Sequence, residues 1–206
     1  HRSNYRYANG FIAPSKNTID ILSKSSLYKY SKFHYIPTFS PIEPGQIVDQ
    51  LPNKITLAYW GRISEEKAVL EVVLLFKELS LSQPDWSFKI IGFDNSLYSE
   101  KVKNNALMID RCQLFDFMNL SDLLKTITDV NYFITSTKIV DNFPQSAVVA
   151  LSQGIKVILP NIGSYKEVID SDKYGLLFDD MKHIKDYILN DNNTWERNDI
   201  INYYKH

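Results

Sequence analysis

The sequence predicts a doubly wound, Rossmann-like α/β domain on a parallel sheet, and three observations carry that prediction. Short continuous apolar runs, ITLAYW, SFKIIG, VNYFITS and IKVILP, recur along the chain, and amphipathic helical segments lie between them. Strands apolar on both faces belong to a sheet covered on both sides, which parallel pairing with crossover helices provides. With 206 residues and 44% hydrophobic content, the chain suffices for one well-buried domain, alone or with a piece of another.

The first unit is GFIAPS, a strand leading to a turn, followed by SKNTIDILSKSSLYKY, a helix with Ile19, Leu22 and Ser26 on one side, and by FHYIPTF, another strand. Residues 40–52, SPIEPGQIVDQLP, hold three prolines and a glycine with no sustained period, as a linker does. ITLAYW then reads as a strand, SEEKAVLEVVLLFKEL as a helix, residues 82–85 as a turn and SFKIIG as a strand. In that helix Val69, Val72, Val73, Phe76 and Leu79 form one apolar stripe, opposite Glu65, Glu66, Lys77 and Glu78. A second cycle runs from ALMID through NLSDLLKTI, where Leu120, Leu123, Leu124 and Ile127 share a face, into VNYFITS. A third passes from that strand through the helix in residues 140–154 to IKVILP.

Several function classes are disfavoured. Lys and Arg number 23 against 24 Asp and Glu, and no basic block suited to many phosphates appears, so extended nucleic-acid binding is not expected. A small anionic ligand is compatible. The longest apolar run, AVLEVVLLF, is broken by Glu71 and falls short of the roughly 18 residues of a membrane span, so no transmembrane segment is expected. Cys112 is the single cysteine; it reads as a core or near-core thiol in a reducing compartment. His34 and His183 lie in separate elements without ligand spacing, so no metal site is expected. HRSNYRYANG lacks an initiating Met and a signal-peptide layout, which suggests a fragment.

In open parallel sheets ligands bind beyond the carboxyl ends of the strands, where helix amino termini also point. Two loops there carry suitable chemistry. In WGRISEEK, Gly61 permits a sharp turn, Arg62 follows, Ser64 can cap the coming helix, and Lys67 falls in its first turn. A cation there is opposed by the helix dipole by roughly 0.3–1 kcal/mol, so an anion is called for. That anion is either Glu65 or Glu66, or a ligand. In VDNFPQSAVVALSQG, Asp141 and Asn142 precede Phe143, Pro144 fits the first helical position and Gly154 the residue past the end. Asp141 or Asn142 is then a plain helix cap, or the amides of residues 143–146, through Gln145, face a ligand whose hydroxyls Asp141 accepts. With Arg62 and Lys67 converging, each charge-assisted bond adds about 1.5–3 kcal/mol to binding.

GRISEEK with its amphipathic helix, then KIIG, then DNFPQSAVVALSQGIKVILPNIGSYKEVI and YGLLF, resembles in order and spacing the carboxy-terminal half of the retaining glycosyltransferases of the GT-B fold, of the family 4, group 1 type. GFIAPSKNTIDILSKSSLYKYSKFHYIPTFSP resembles that family's passage between its two domains. The resemblance thus implies the end of an acceptor-side domain in residues 1–39 and a nucleotide-sugar donor domain in 40–206. It implies that Arg62 and Lys67 grip the donor diphosphate, that Asp141 contacts the sugar hydroxyls, and that Gly61, Gly92, Asn142, Phe143, Pro144 and Gln145 shape the donor site. The family's second acid, which contacts the ribose, falls on Val149. Losing that acceptor implies about 10- to 150-fold weaker donor binding. Ala68 replaces the glycine that usually follows the motif lysine, a milder change, since alanine is the better helix former there.

Glu167 reads as a capping or bracing residue and Gly163 as a loop bend, while Asp94 or Asn95 either approaches the nucleotide or, as the stronger reading, forms a plain turn. Tyr5 and Tyr7 suit either a missing partner domain or ordinary surface. The reading is a hexosyltransferase of glycan or polysaccharide biosynthesis that takes a UDP- or GDP-sugar and no cofactor. As a fragment lacking its amino-terminal acceptor domain, it is expected to be inactive alone. The alternatives are a degenerate non-catalytic module, for which Val149 speaks, and a nicotinamide-dependent or phosphoacceptor protein, against which the absence of G-x-G-x-x-G speaks. A cytoplasmic location is expected, with peripheral attachment to the inner membrane surface implied by the resemblance alone.

Overall fold

The four apolar runs form the centre of a six-stranded parallel sheet. In the computed structural model, residues 8, 10–28, 30–37, 42–45, 54–191 and 197–205 are described. Strands β3 (Thr56–Trp60), β6 (Tyr132–Ile134) and β7 (Lys156–Pro160) are buried throughout, and β4 (Ser87–Phe93) is buried from its second residue on. The edge strands β5 (Cys112–Asp116) and β8 (Gly175–Phe178) are only partly covered. Their order is β5-β4-β3-β6-β7-β8. The chain therefore winds outward from β3 to β5, returns to the far side of β3 and winds out again to β8. The strand order reverses between β3 and β6, the point at which open α/β sheets carry their ligand crevice, beyond the carboxyl ends of the strands.

Alternation along the strands divides the core in two. Leu57, Tyr59, Phe88, Ile90, Tyr132 and Ile134 face helices α2 (Val69–Ser82), α3 (Leu97–Ala106) and α6 (Lys182–Asn190). Ala58, Trp60, Ile91, Phe133, Val157 and Leu159 face α5 (Gln145–Ser152) and α7 (Arg197–Tyr204), with α4 (Leu120–Thr126) alongside. The expected stripe of α2 is confirmed: Val69, Val72, Val73, Phe76 and Leu79 are all fully buried. Cys112 packs against the first core, and burial pushes its thiol up to about 12.

Three readings need correction. The first helix, α1 (Lys16–Ser23), is half the expected length; Ser15 caps it by accepting from Thr18 N–H at 3.0 Å, and Ser26 lies beyond its end. ALMID does not begin a cycle. Ala106 ends α3, the rest is turn, and β5 follows from Cys112. The helix is hard to see because its inward face carries only Ser99, Val102 and Ala106, whereas Leu107 and Met108 are exposed. The turn before β4 comes after residue 82, since α2 runs to Ser82. The greater part of the 40–52 linker, with Tyr5 and Tyr7, lies outside the described residues.

Strands β1 (Gly10–Ala13) and β2 (Lys32–Tyr35) flank α1 and form a separate two-stranded parallel sheet. It is tied to the main domain through the 3₁₀ turn Gly163–Glu167 after β7. The Glu167 carboxylate accepts the first amides of α1, from Lys16 at 2.8 Å and Asn17 at 2.7 Å. The expected capping role of Glu167 is real, but the helix it caps lies some 150 residues upstream. Gly163 has φ 53°, and a Cβ there would meet Val140 Cγ1 at 2.6 Å, so glycine is required at this bend.

Candidate functional site

The crevice is bordered by the two loops that the sequence singled out, and it begins with two glycines. Gly61 ends β3 at φ 142° and Gly92 interrupts β4 at φ 123°. A Cβ on Gly92 would lie 2.1 Å from the Gly61 carbonyl oxygen, and the pairing of β4 with β5 shifts register at this point. Gly92 thus serves to bring two strand ends into backbone contact. Beyond it, Asp94 Oδ1 accepts from Ser96 N–H at 3.0 Å and Ser96 Oγ at 2.7 Å, a turn that holds the Asp94 carboxyl below its ordinary range. The plain-turn reading of Asp94 stands.

The β3–α2 loop departs from its expected form. Ser64 precedes a 3₁₀ turn, Glu65–Lys67, and its buried hydroxyl caps nothing among the described residues. Ala68 then adopts a left-handed conformation, φ 48° and ψ 36°, before α2 begins at Val69. Lys67 therefore stands outside the α-helix. Helix propensity at Ala68 is also beside the point, because a left-handed residue is where glycine is preferred.

The anion that Lys67 requires is Asp141, whose Oδ2 bonds Lys67 Nζ across 74 residues of sequence. The two side chains are 19% and 20% exposed, which makes this a half-buried pair at the crevice mouth. Two further bonds tie the loops together: Lys138 N–H donates to the Glu66 carbonyl at 2.8 Å, and Thr137 Oγ1 to the same oxygen at 3.2 Å. Arg62 lies on the same loop but does not share this contact. Its guanidinium reaches Glu66 at 3.3 Å on the open surface. Such exposed pairs contribute about 0–1 kcal/mol, so little holds Arg62 away from an incoming anion.

Two buried tyrosines that sequence reasoning missed support the site from below. Tyr59 OH donates to the Arg62 carbonyl at 2.9 Å, and Tyr165 OH donates to Asp141 Oδ2 at 2.5 Å. Burial raises both phenols, and the negative charge of Asp141 raises each further, so both stay protonated as donors. Ser164 Oγ adds a bond to the Asp141 carbonyl at 2.6 Å. A tyrosine inside an apolar strand, or inside SYKEV, gives no signal in sequence beyond ordinary core.

The helix entrance is less open than expected. Pro144 is the N-cap, and α5 begins one residue later, at Gln145. The Gln145 amide is taken by the Phe143 carbonyl at 3.1 Å. Among the described residues, the Phe143 and Ser146 amides have no protein acceptor, while Asn142 is exposed beside Asp141. Val149 is 7% exposed and packs in the core with Trp60, Ala58 and Ile91. Gly154 ends the helix at φ 70°, as expected. The structure thus joins Lys67 to Asp141, leaves Arg62 nearby on the surface, and withdraws Val149 into the core.

The sequence profile of the glycosyl transferases group 1 family matches residues 46–205. No curated protein sequence matches the chain. Solved structures are similar in fold. Sucrose-phosphate synthase from Thermosynechococcus elongatus superposes with a TM-score of 0.81 at 16% identity, over 99% of this chain and 54% of that one. The pneumococcal O-GlcNAc transferase GtfA, in complex with UDP and GlcNAc, gives 0.67 at 20% identity over 98% of this chain and 38% of that one. Anabaena HepE, in complex with UDP and glucose, gives 0.71 at 15% identity over 98% of this chain and 59% of that one. The chain thus spans little more than a third to three fifths of these proteins, with the fold of a GT-B carboxy-terminal, Rossmann-like domain. Among the described residues no helix is long and apolar enough to cross a membrane.

Proposed function

Because the chain belongs to the glycosyl transferases group 1 family, we propose that it is the donor-binding part of a glycosyltransferase. Residues 40–206 would hold a nucleoside diphosphate sugar, and residues 1–39 would close an acceptor-side domain lying outside this chain. The observation that carries the reading is the Lys67–Asp141 contact at the strand-order reversal. It sets a cation suited to a diphosphate beside a carboxylate suited to sugar hydroxyls, as a substrate with those two groups adjacent requires.

Arg62, released from its weak surface pair, and Lys67 stabilise the negative charge that grows on the departing diphosphate. The Phe143 and Ser146 amides add neutral donors at the mouth of α5. Asp141 accepts sugar hydroxyls and fixes the ring. Gly61 and Gly92 let the strand ends approach the ligand without side chains in the way. The acceptor hydroxyl would come from the other domain, so this chain alone is expected to transfer no sugar at a useful rate. Glycan or polysaccharide synthesis on the cytoplasmic side, with peripheral membrane attachment through the other domain, is the setting that this reading suits.

A second reading, a non-catalytic module that keeps the fold as an assembly surface, is favoured by one observation. The position of the family's second acid is a valine turned into the core. Calorimetry with UDP, GDP and their glucose conjugates decides between the two. Saturable binding that falls at least tenfold in Arg62→Ala is expected, the lower end of a lost charge-assisted bond. Absence of binding by all four ligands would overturn the donor-site reading and leave the assembly reading.

A further inference from the structure

The turn after β7 takes no part in the scheme above, yet it grips Asp141 at two points. Ser164 Oγ bonds its carbonyl and Tyr165 OH its carboxylate. The turn is itself held firmly. Gly163 runs hard against Val140, Glu167 anchors the far end to the first amides of α1, and Tyr165 is 1% exposed. An ionised carboxylate only accepts hydrogen bonds, and a phenol that stays protonated donates, so the direction of the Tyr165–Asp141 bond is fixed.

Both donors choose the same oxygen. Lys67 Nζ and Tyr165 OH each bond Oδ2, whereas Oδ1 meets no protein donor among the described residues. A carboxylate that can turn freely would offer both oxygens to the ammonium. Here the rigid phenol prevents that rotation.

We infer that Tyr165 is a positioning residue, which by holding Oδ2 presents Oδ1 of Asp141 as the acceptor for a donor-sugar hydroxyl. The inference rests on the proposed role of Asp141 and deepens it. It also distinguishes the two halves of the ligand. The sugar is read through Asp141 and therefore through Tyr165; the diphosphate is read through Arg62, Lys67 and backbone amides, which Tyr165 does not touch.

The test is a calorimetric comparison of wild type, Tyr165→Phe, Asp141→Asn and the double variant with UDP, GDP and their glucose conjugates, each variant checked by thermal melting. Tyr165→Phe should raise the ratio of the sugar-nucleotide Kd to the bare-nucleotide Kd about tenfold, with the bare-nucleotide Kd within about threefold of wild type. In the Asp141→Asn background the same change should leave that ratio unaltered. A purely structural role would weaken both ligands alike, and that result, or no change in the ratio, overturns the inference while leaving the donor-site reading intact. Should Tyr165→Phe fail to fold, Tyr165→Met, which also lacks the hydroxyl, takes its place, with the same expected rise in the ratio and the same refuting results. Failure of wild type to bind any of the four ligands removes the donor-site reading, and this inference falls with it.

Discussion

Replacing Asp141 with asparagine should make the protein less stable and yet a better ligand for diphosphate. Asn is nearly isosteric and keeps an oxygen for the Tyr165 hydroxyl, so the change removes the negative charge that Lys67 meets and turns the free Oδ1 acceptor into an amide donor. Lys67 and Asp141 are each about four-fifths covered, between an exposed ion pair at about 0–1 kcal/mol and a buried one whose breakage costs about 3–5 kcal/mol. An intermediate loss of about 1–2 kcal/mol follows. At 2–4 °C per kcal/mol for a chain of this size, the melting temperature should fall by roughly 2–8 °C.

Binding should move the other way. On the proposed reading an incoming diphosphate must draw Lys67 from its carboxylate, whereas in Asp141→Asn the ammonium has no such partner. Recovering about 1.4 kcal/mol of that attraction would tighten inorganic pyrophosphate or UDP about tenfold, most visibly at low ionic strength, where charges are least screened. Calorimetry with pyrophosphate and with UDP, at low salt and near 0.15 M, reads this directly. Should pyrophosphate bind Asp141→Asn no better than wild type, Lys67 is not the diphosphate ligand, and the central contact of the site has been misassigned.

Two further outcomes test the frame and the core. Gly92→Ala would place a Cβ 2.1 Å from the Gly61 carbonyl in a backbone conformation that alanine resists, so urea unfolding should show a loss of about 3 kcal/mol or more. Cys112, with its thiol pushed up to about 12 from an ordinary 9.0, has roughly 10³-fold less thiolate at pH 8 than a free cysteine; alkylation by iodoacetamide should be slower by about that factor in the native protein and regain its ordinary rate in urea.

What the sequence made legible follows from how each signal arises. ITLAYW, SFKIIG and IKVILP declared themselves because central strands are buried on both faces, and α2 did so through a stripe of five large apolar residues. Helix α3 buries only Ser99, Val102 and Ala106 and exposes Leu97, with Leu107 just past its end exposed as well, so its pattern is inverted. Lys67 and Asp141 were identifiable singly, from their places in loops that lead from strands to helix entrances. Their contact was not, because it depends on β6 returning to lie beside β3, a property of sheet order. Tyr59 and Tyr165 were invisible for a different reason: a phenol bonded below a functional loop has the same sequence signature as one that merely fills a core.

The left-handed Ala68 ties these points together. A lysine in the first turn of α2 would face the positive end of the helix dipole and need an anion for that reason alone. The structure avoids this by closing a 3₁₀ turn at Lys67 and reversing the backbone at the next residue. The reversal costs about 1–2 kcal/mol for any residue with a Cβ, and Ala68 is buried, so the conformation is enforced from outside the loop. The constraints are visible: Glu66 is held from the β6–α5 loop by the Lys138 amide and Thr137, and Lys67 by Asp141. Strain at Ala68 and attraction at Lys67 thus oppose each other across one peptide bond. A ligand that takes over the Lys67 ammonium would remove a restraint on the strained residue as well as a partner from Asp141, so the loop and the carboxylate should respond to diphosphate together.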